Sequence, residues 1–262
     1  MNLILVDLEA TCWPHGDPRR KQQSEISESI EIYGAAVDPI NFSILKDFHS
    51  YVRPNNNPIL TDFCKKLTGL SQAMIDVAPS SEDFIKTWQS WVGKAPFYLA
   101  SWGSFDHRVL SREWTKYTRT EATWMHVDIQ KKFELCCRAH RAEKTAWYQS
   151  RKSARISGLS LNEALDSIGY LRQGQAHTAQ SDTLGALACL KFACSAQGLT
   201  PLEQSLMQMV KQESEQNRAV YWGEAVRKLG LSQASYATMS RNLAKRGFVH
   251  FEAKLGALRL SL

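Results

Sequence analysis

The tightest constraint in this chain lies in its first ten residues, where the apolar run Leu3 to Val6 meets two carboxylates, Asp7 and Glu9, one residue apart. The run reads as a buried β-strand. Side chains alternate along a strand, so residues two apart stand on the same side and Asp7 and Glu9 become neighbours. Two close negative charges repel, and an unpaired buried carboxylate is costly, so the pair calls for a compensating cation. Mg²⁺ and Mn²⁺, hard cations that take carboxylate oxygen, answer that demand. A plainer alternative stands beside it: the strand has ended and both side chains are wet.

The segments that follow decide what kind of domain such a strand belongs to. After a polar loop (PHGDPRRKQQSE), SIEIYGAAVD and ILKDFHSYVRP have strand length and composition, and their short connections predict an antiparallel meander. LTDFCKKLTGL and SSEDFIKTWQSWV read as amphipathic helices, the second opened by a Ser cap with apolar Phe84, Ile85, Trp88 and Trp91. PFYLASWG gives a fourth strand, SFDHRVLSREWTKY a helix, and HVDIQ a fifth strand. Strands first, then strands alternating with helices, predict an α/β domain with a mixed five-stranded sheet flanked by helices. The chain's 262 residues and 44% hydrophobic content are enough for one large or two modest domains. No run of 18 apolar residues and no secretory leader is present, so the expectation is a soluble cytoplasmic protein without membrane contact. Six scattered cysteines lack zinc-site spacing and read as reduced thiols.

Three more candidates join the first pair. Asp106 falls in the first turn of the helix after the fourth strand, where ligands gather in α/β sheets. His177 lies in a Gly-bearing loop, and Asp182 follows near a helix start. Taken singly, both aspartates also fit as helix N-terminal carboxylates and the histidine as a structural residue. The order D-x-E, then D, then H-x-x-x-x-D resembles the DEDDh exonucleases, the DnaQ-like 3′-to-5′ exonuclease superfamily. Its branch of RNA 3′-end trimming enzymes, which includes the histone-mRNA 3′-end exonuclease and a bacterial sporulation-inhibitor exonuclease, is the most similar. VDLEATCW, YVRPNNNPILTDFCKKLTGLSQAMIDVAPSSEDF and SWGSFDHRVL carry that likeness, which runs over residues 1 to 197.

The resemblance implies an RNase H-like fold and phosphodiester hydrolysis at the 3′ end of single-stranded RNA or DNA, releasing nucleoside 5′-monophosphates. It implies two Mg²⁺ or Mn²⁺ ions roughly 4 Å apart, with Asp7, Glu9, Asp106 and Asp182 as ligands and His177 as general base. By the same analogy Leu8 and Ala10 line the terminal-nucleotide pocket, and the region of Thr68 and Gly69 touches the substrate end. This chain departs from the pattern at Ser181, where many relatives carry Asp, and at Gly185, where they carry Asn. Those departures bear on the support around the ligands.

Residues 130 to 157 hold eight Lys or Arg against two Glu, with Trp147 and Tyr148 among them. This is either a solvated face or a nucleic-acid grip in which the cations pair with phosphates and Trp147 or Tyr148 stacks on a base. The net charge of +6 suits a polyanionic partner without requiring one. GLTP at 198–201 marks a boundary, dividing an exonuclease domain at 1–199 from a small domain at 200–262. Three helices and a hairpin there resemble a winged helix, and the resemblance implies that Thr238, Arg241, Lys245 and Arg246 lie on the helix that enters a groove of duplex nucleic acid. Protein contacts are the other role open to that domain. A second function class follows from it: a nucleic-acid-binding regulator in which the nuclease-like part is only a scaffold.

Overall fold

A computed structural model describes residues 2–142, 158–172, 174–194, 201–245, 248–252 and 255–260. The apolar opening forms β1 (Asn2–Ala10), the central strand of a five-stranded sheet. β2 (Ser29–Val37) pairs antiparallel with β1, and β3 (Ile44–Tyr51) antiparallel with β2, which gives the expected meander. β4 (Phe97–Ser101) lies parallel on the other side of β1, and β5 (Met125–Asp128) parallel to β4, so the order is β3-β2-β1-β4-β5. Parallel neighbours need crossovers, and the helices supply them. After the short α1 (Gln23–Ile26), the chain between β3 and β4 forms α2 (Asp62–Thr68), α3 (Gln72–Asp76) and α4 (Ser81–Val92). α5 (Phe105–Thr118) joins β4 to β5.

Local chemistry sets these boundaries. Ser80 caps α4 by accepting from the Asp83 amide, an interaction worth about 1 kcal/mol. Gly69 ends α2 in the left-handed conformation at φ 75°, which glycine adopts without strain. Glu28, buried, accepts from the backbone amides of Asn55, Asn56 and Asn57 and so ties down the loop that leads to α2.

One face of the sheet carries Ile4, Val6, Leu8, Ile32 and Leu99 against Phe84, Trp88, Val109 and Leu110 of α4 and α5. The packing is closest at Gly34, where an added Cβ would stand 2.7 Å from the Trp88 ring, itself fully buried. Gly34→Ala is therefore expected to destabilise the protein by about 1–3 kcal/mol, as overpacking does. A melting temperature unchanged by that substitution would contradict the packing described.

The chain divides into two compact units. One comprises Met1–Asp38, Phe42–Ile129 and Gly169–Leu187 and contains the five-stranded sheet with the start of α8 (Ala179–Ala193). The other comprises Pro39–Asn41, Gln130–Ile168 and Ala188–Leu262. It holds α6 (Ile129–Ala142, from its second residue), α7 (Leu161–Ile168), α9 (Pro201–Glu215), α10 (Trp222–Leu229) and α11 (Gln233–Lys245). A three-stranded antiparallel sheet in the order β6-β8-β7 completes it, from β6 (Val220–Tyr221), β7 (Val249–Glu252) and β8 (Ala257–Leu260). β6 escapes sequence reading because two residues show no alternation. Leu206, Val210, Leu243, Phe248 and Leu258 form its core, into which Tyr236 donates hydrogen bonds to the carbonyls of Val220 and Gly256, both at 3.2 Å. Trp147, Tyr148 and Arg246 lie outside the described residues, as does the side chain of Lys245. Among the described residues no helix is long and apolar enough to cross a membrane.

Candidate active site

The alternation of β1 sends Asp7 and Glu9 to the face opposite the α4 and α5 core. The antiparallel register sets Tyr33 and Glu31 of β2 across from them. The start of α8 rests against the same strand: Thr183 donates to the Tyr33 carbonyl at 3.3 Å, and the Ala179 amide donates to the Glu31 carboxylate at 3.3 Å. That anchorage carries Asp182, in the first turn of α8, to β1. Ligand atoms of Glu9, His177 and Asp182 all lie within 4.8 Å of one another. Asp106, 5% exposed in the first turn of α5, accepts a hydrogen bond from the Leu8 amide, which fixes it at the end of β1.

The charges report the same convergence. Burial raises the Asp7 carboxyl well above its ordinary range, and Asp106, Glu9, Asp182 and Glu31 push it further. Glu9 rises to about 9, from burial first and then from Asp182, Glu31 and Asp106. Asp106 rises to about 7, chiefly by burial, with the Leu8 amide working the other way. Asp7 is half-buried, so part of its surface stays open. Burial and neighbouring carboxylates together raise the proton affinity of Asp7, Glu9 and Asp106, which marks a site crowded with negative charge. Oxygen donors crowded in this way, with an imidazole beside them, suit divalent cations.

His177 is exposed and holds its backbone in the left-handed region at φ 62°. For a residue with a side chain that conformation is strained, and strain of this kind gathers at functional sites. Thr178 closes the turn by donating to the Gln175 carbonyl at 3.1 Å.

The other predicted contacts fall as follows. Leu8 packs its side chain into the α4 and α5 core and presents only its amide to Asp106. Ala10 is buried, its carbonyl 3.7 Å from the Cys64 thiol. Thr68 is buried and donates to the Cys64 carbonyl at 2.9 Å. At Gly69 the open side of the backbone faces the Gln175 amide, 3.7 Å from where a Cβ would stand, so this turn borders the His177 loop. Arg241 is exposed on α11.

The Exonuclease family matches residues 4–190, well over half of the chain and all five of these positions. The chain belongs to the exonuclease family. Its resemblance to the DEDDh 3′-to-5′ exonucleases, read from the motifs, is borne out. Similar proteins include ERI1 exoribonuclease 2 of Xenopus laevis, 26% identical over 197 residues, which are 69% of this chain and 26% of that protein. The 3′-5′ exonuclease Snipper of Drosophila melanogaster is 25% identical over 232 residues, 77% of this chain and 75% of that one. Against the first of these, the chain spans about a quarter of the relative's length. The nuclease domain of 3′hExo, a DEDDh family member bound to rAMP, superposes with a TM-score of 0.56 at 23% identity, covering 73% of this chain and 91% of that domain. The mixed sheet flanked by helices is thus the RNase H-like exonuclease fold, and the family implies divalent metal ions.

Two residues of this candidate site escaped the sequence. Glu31, 4% exposed, receives both the Ala179 amide and the His49 imidazole, the latter at 2.8 Å. Arg172 places its guanidinium on Asp182. The available signal for the first was an acid inside an otherwise uncharged strand, SIEIYGAAV. For Arg172 there was none.

Proposed function

We propose that this protein is a metal-dependent 3′-to-5′ exonuclease that shortens single-stranded RNA, and in a second rank DNA, releasing nucleoside 5′-monophosphates. The observation that carries this reading is the approach of Glu9, His177 and Asp182 within 4.8 Å, beside Asp7 and Asp106. RNA is favoured because the Xenopus relative is named an exoribonuclease and the 3′hExo domain was solved with rAMP.

Asp7, Glu9, Asp106 and Asp182 would hold two divalent ions, Mg²⁺ or Mn²⁺, which when bound supply positive charge against the phosphate. His177 takes a proton from the attacking water on an imidazole nitrogen. The water oxygen bonds to phosphorus, the bond to the 3′-oxygen breaks, and that oxygen takes a proton from solvent, so the shortened strand leaves with a 3′-hydroxyl. The exposure of His177 leaves the imidazole open to solvent, and the turn at Gly69 that borders its loop is a surface for the strand terminus.

Residues 200–262 are read as a separate winged-helix-like domain that grips nucleic acid. Support comes from three helices with a small antiparallel sheet, and from the outward side of α11, where Ser235, Thr238, Arg241 and Asn242 are exposed. Incubation of the full chain with a 5′-labelled single-stranded RNA and Mn²⁺ is expected to give a ladder shortening from the 3′ end, with DNA of the same sequence cut more slowly. Intact RNA together with tight duplex binding would favour a regulator instead.

A further inference from the structure

Arg172 stands at the head of the loop that leads to His177. Its Nη1 donates to Asp182 Oδ1 and, at 3.3 Å, to the Ser181 hydroxyl. The two charged side chains are 15% and 14% exposed, so the pair is largely withdrawn from water. Asp182 is also the carboxylate whose oxygen lies within 4.8 Å of ligand atoms of Glu9 and His177. One oxygen-bearing group is thus asked to serve two cations. A guanidinium stays charged at any working pH, so it cannot yield by losing its proton. It can yield only by moving away.

We propose that Arg172 is a built-in cation that pairs with Asp182 and competes with divalent metal for it. The inference rests on the reading of Asp182 as a metal ligand. Around that carboxylate stand Glu9, Asp7, Asp106 and Glu31, each close enough to act on its neighbours electrostatically. A resident cation relieves that crowding. The benefit at rest becomes a cost on loading: the charge-assisted hydrogen bond from Nη1 must be given up, or weakened by repulsion between like charges, as Asp182 turns to its ligand role. Arg172 is in this sense a positioning residue, acting through Asp182.

The proposal has a sign that an ordinary supporting role would not give. Loss of a residue that merely orients a ligand weakens metal binding, commonly tenfold or more. Loss of a competitor strengthens it. Calorimetric titration of the full, metal-free chain with Mn²⁺ alone is the test. Arg172→Gln is expected to bind Mn²⁺ about tenfold more tightly than the wild type, the weight of one charge-assisted hydrogen bond. Arg172→Lys, which keeps the charge, is expected to stay near wild-type affinity. If Arg172→Gln does not fold, Arg172→Met, uncharged and of similar reach, takes its place with the same expectation. Equal or weaker Mn²⁺ binding by the neutral variant overturns the proposal. Asp182→Asn separates the two layers of the argument. If it loses Mn²⁺ binding while Arg172→Gln does not gain it, only the role of Arg172 falls. If Asp182→Asn binds Mn²⁺ as the wild type does, Asp182 is no ligand and the metal reading falls with the proposal.

Discussion

Asp7→Asn is expected to lower the rate of 3′-end shortening by roughly a thousandfold while making the metal-free protein more stable. The two effects have one cause. Asp7 lies where Asp106, Glu9, Asp182 and Glu31 all raise its proton affinity, with burial the largest contribution. A neutral amide of the same shape removes that repulsion and the cost of withdrawing a charge from water. It also removes an anionic oxygen from the proposed ligand set. A gain of about 2 kcal/mol, or roughly 4–8 °C in melting temperature for a domain of this size, is the expected scale. Paired assays of labelled-RNA digestion and thermal unfolding in chelator check both halves. Full activity in Asp7→Asn would remove Asp7 from the chemistry, and a lower melting temperature without metal would show that the carboxylate stabilises the fold instead.

The same crowding predicts an unusual dependence of stability on pH. In the unfolded chain Asp and Glu lose their protons near 3.8 and 4.5, whereas in the folded protein Asp106 keeps its proton to about 7 and Glu9 to about 9. Between those limits the native state binds more protons than the unfolded state, so each rise in pH favours unfolding. The metal-free protein is therefore expected to lose stability steadily from about pH 4 upward, with a fall of roughly 10 °C in melting temperature between pH 5 and pH 9. Glu113, buried and raised to about 7, adds to the slope without belonging to the site. Saturating Mn²⁺ should flatten the slope, because the ionised carboxylates then have a partner, and Glu9→Gln should flatten it in part without metal. Melting curves recorded from pH 5 to 9, with and without Mn²⁺, are the measurement. A metal-free protein that grows more stable as pH rises would contradict the carboxylate cluster.

The elements that hold the site were legible because their signals are local. Four apolar residues before Asp7 announce β1, and the Ser80 cap with its apolar spacing announces α4. Asp106 was placed in a first turn by the strand and helix on either side of it, and the structure has it there. Glu31 shows where local reading ends. Its strand was read, yet only the pairing of β1 with β2 sets it opposite Glu9, and only the seating of α8 brings the Ala179 amide to it. The left-handed turn at His177 is likewise absent from the letters, since histidine does not ask for that conformation as glycine does.

By itself, the sequence determined which segments become strands and helices, and which residue types are available for metal and proton chemistry, because propensity, capping and alternation act over a few neighbouring residues. Only the tertiary structure decided that five acids share one region, that Leu8 offers its amide rather than its side chain, and that Arg172 rests on Asp182. Electrostatic and hydrogen-bonded partnerships act through space, and distance in space between groups remote in the chain is fixed by strand register and helix seating, which no short stretch of residues encodes.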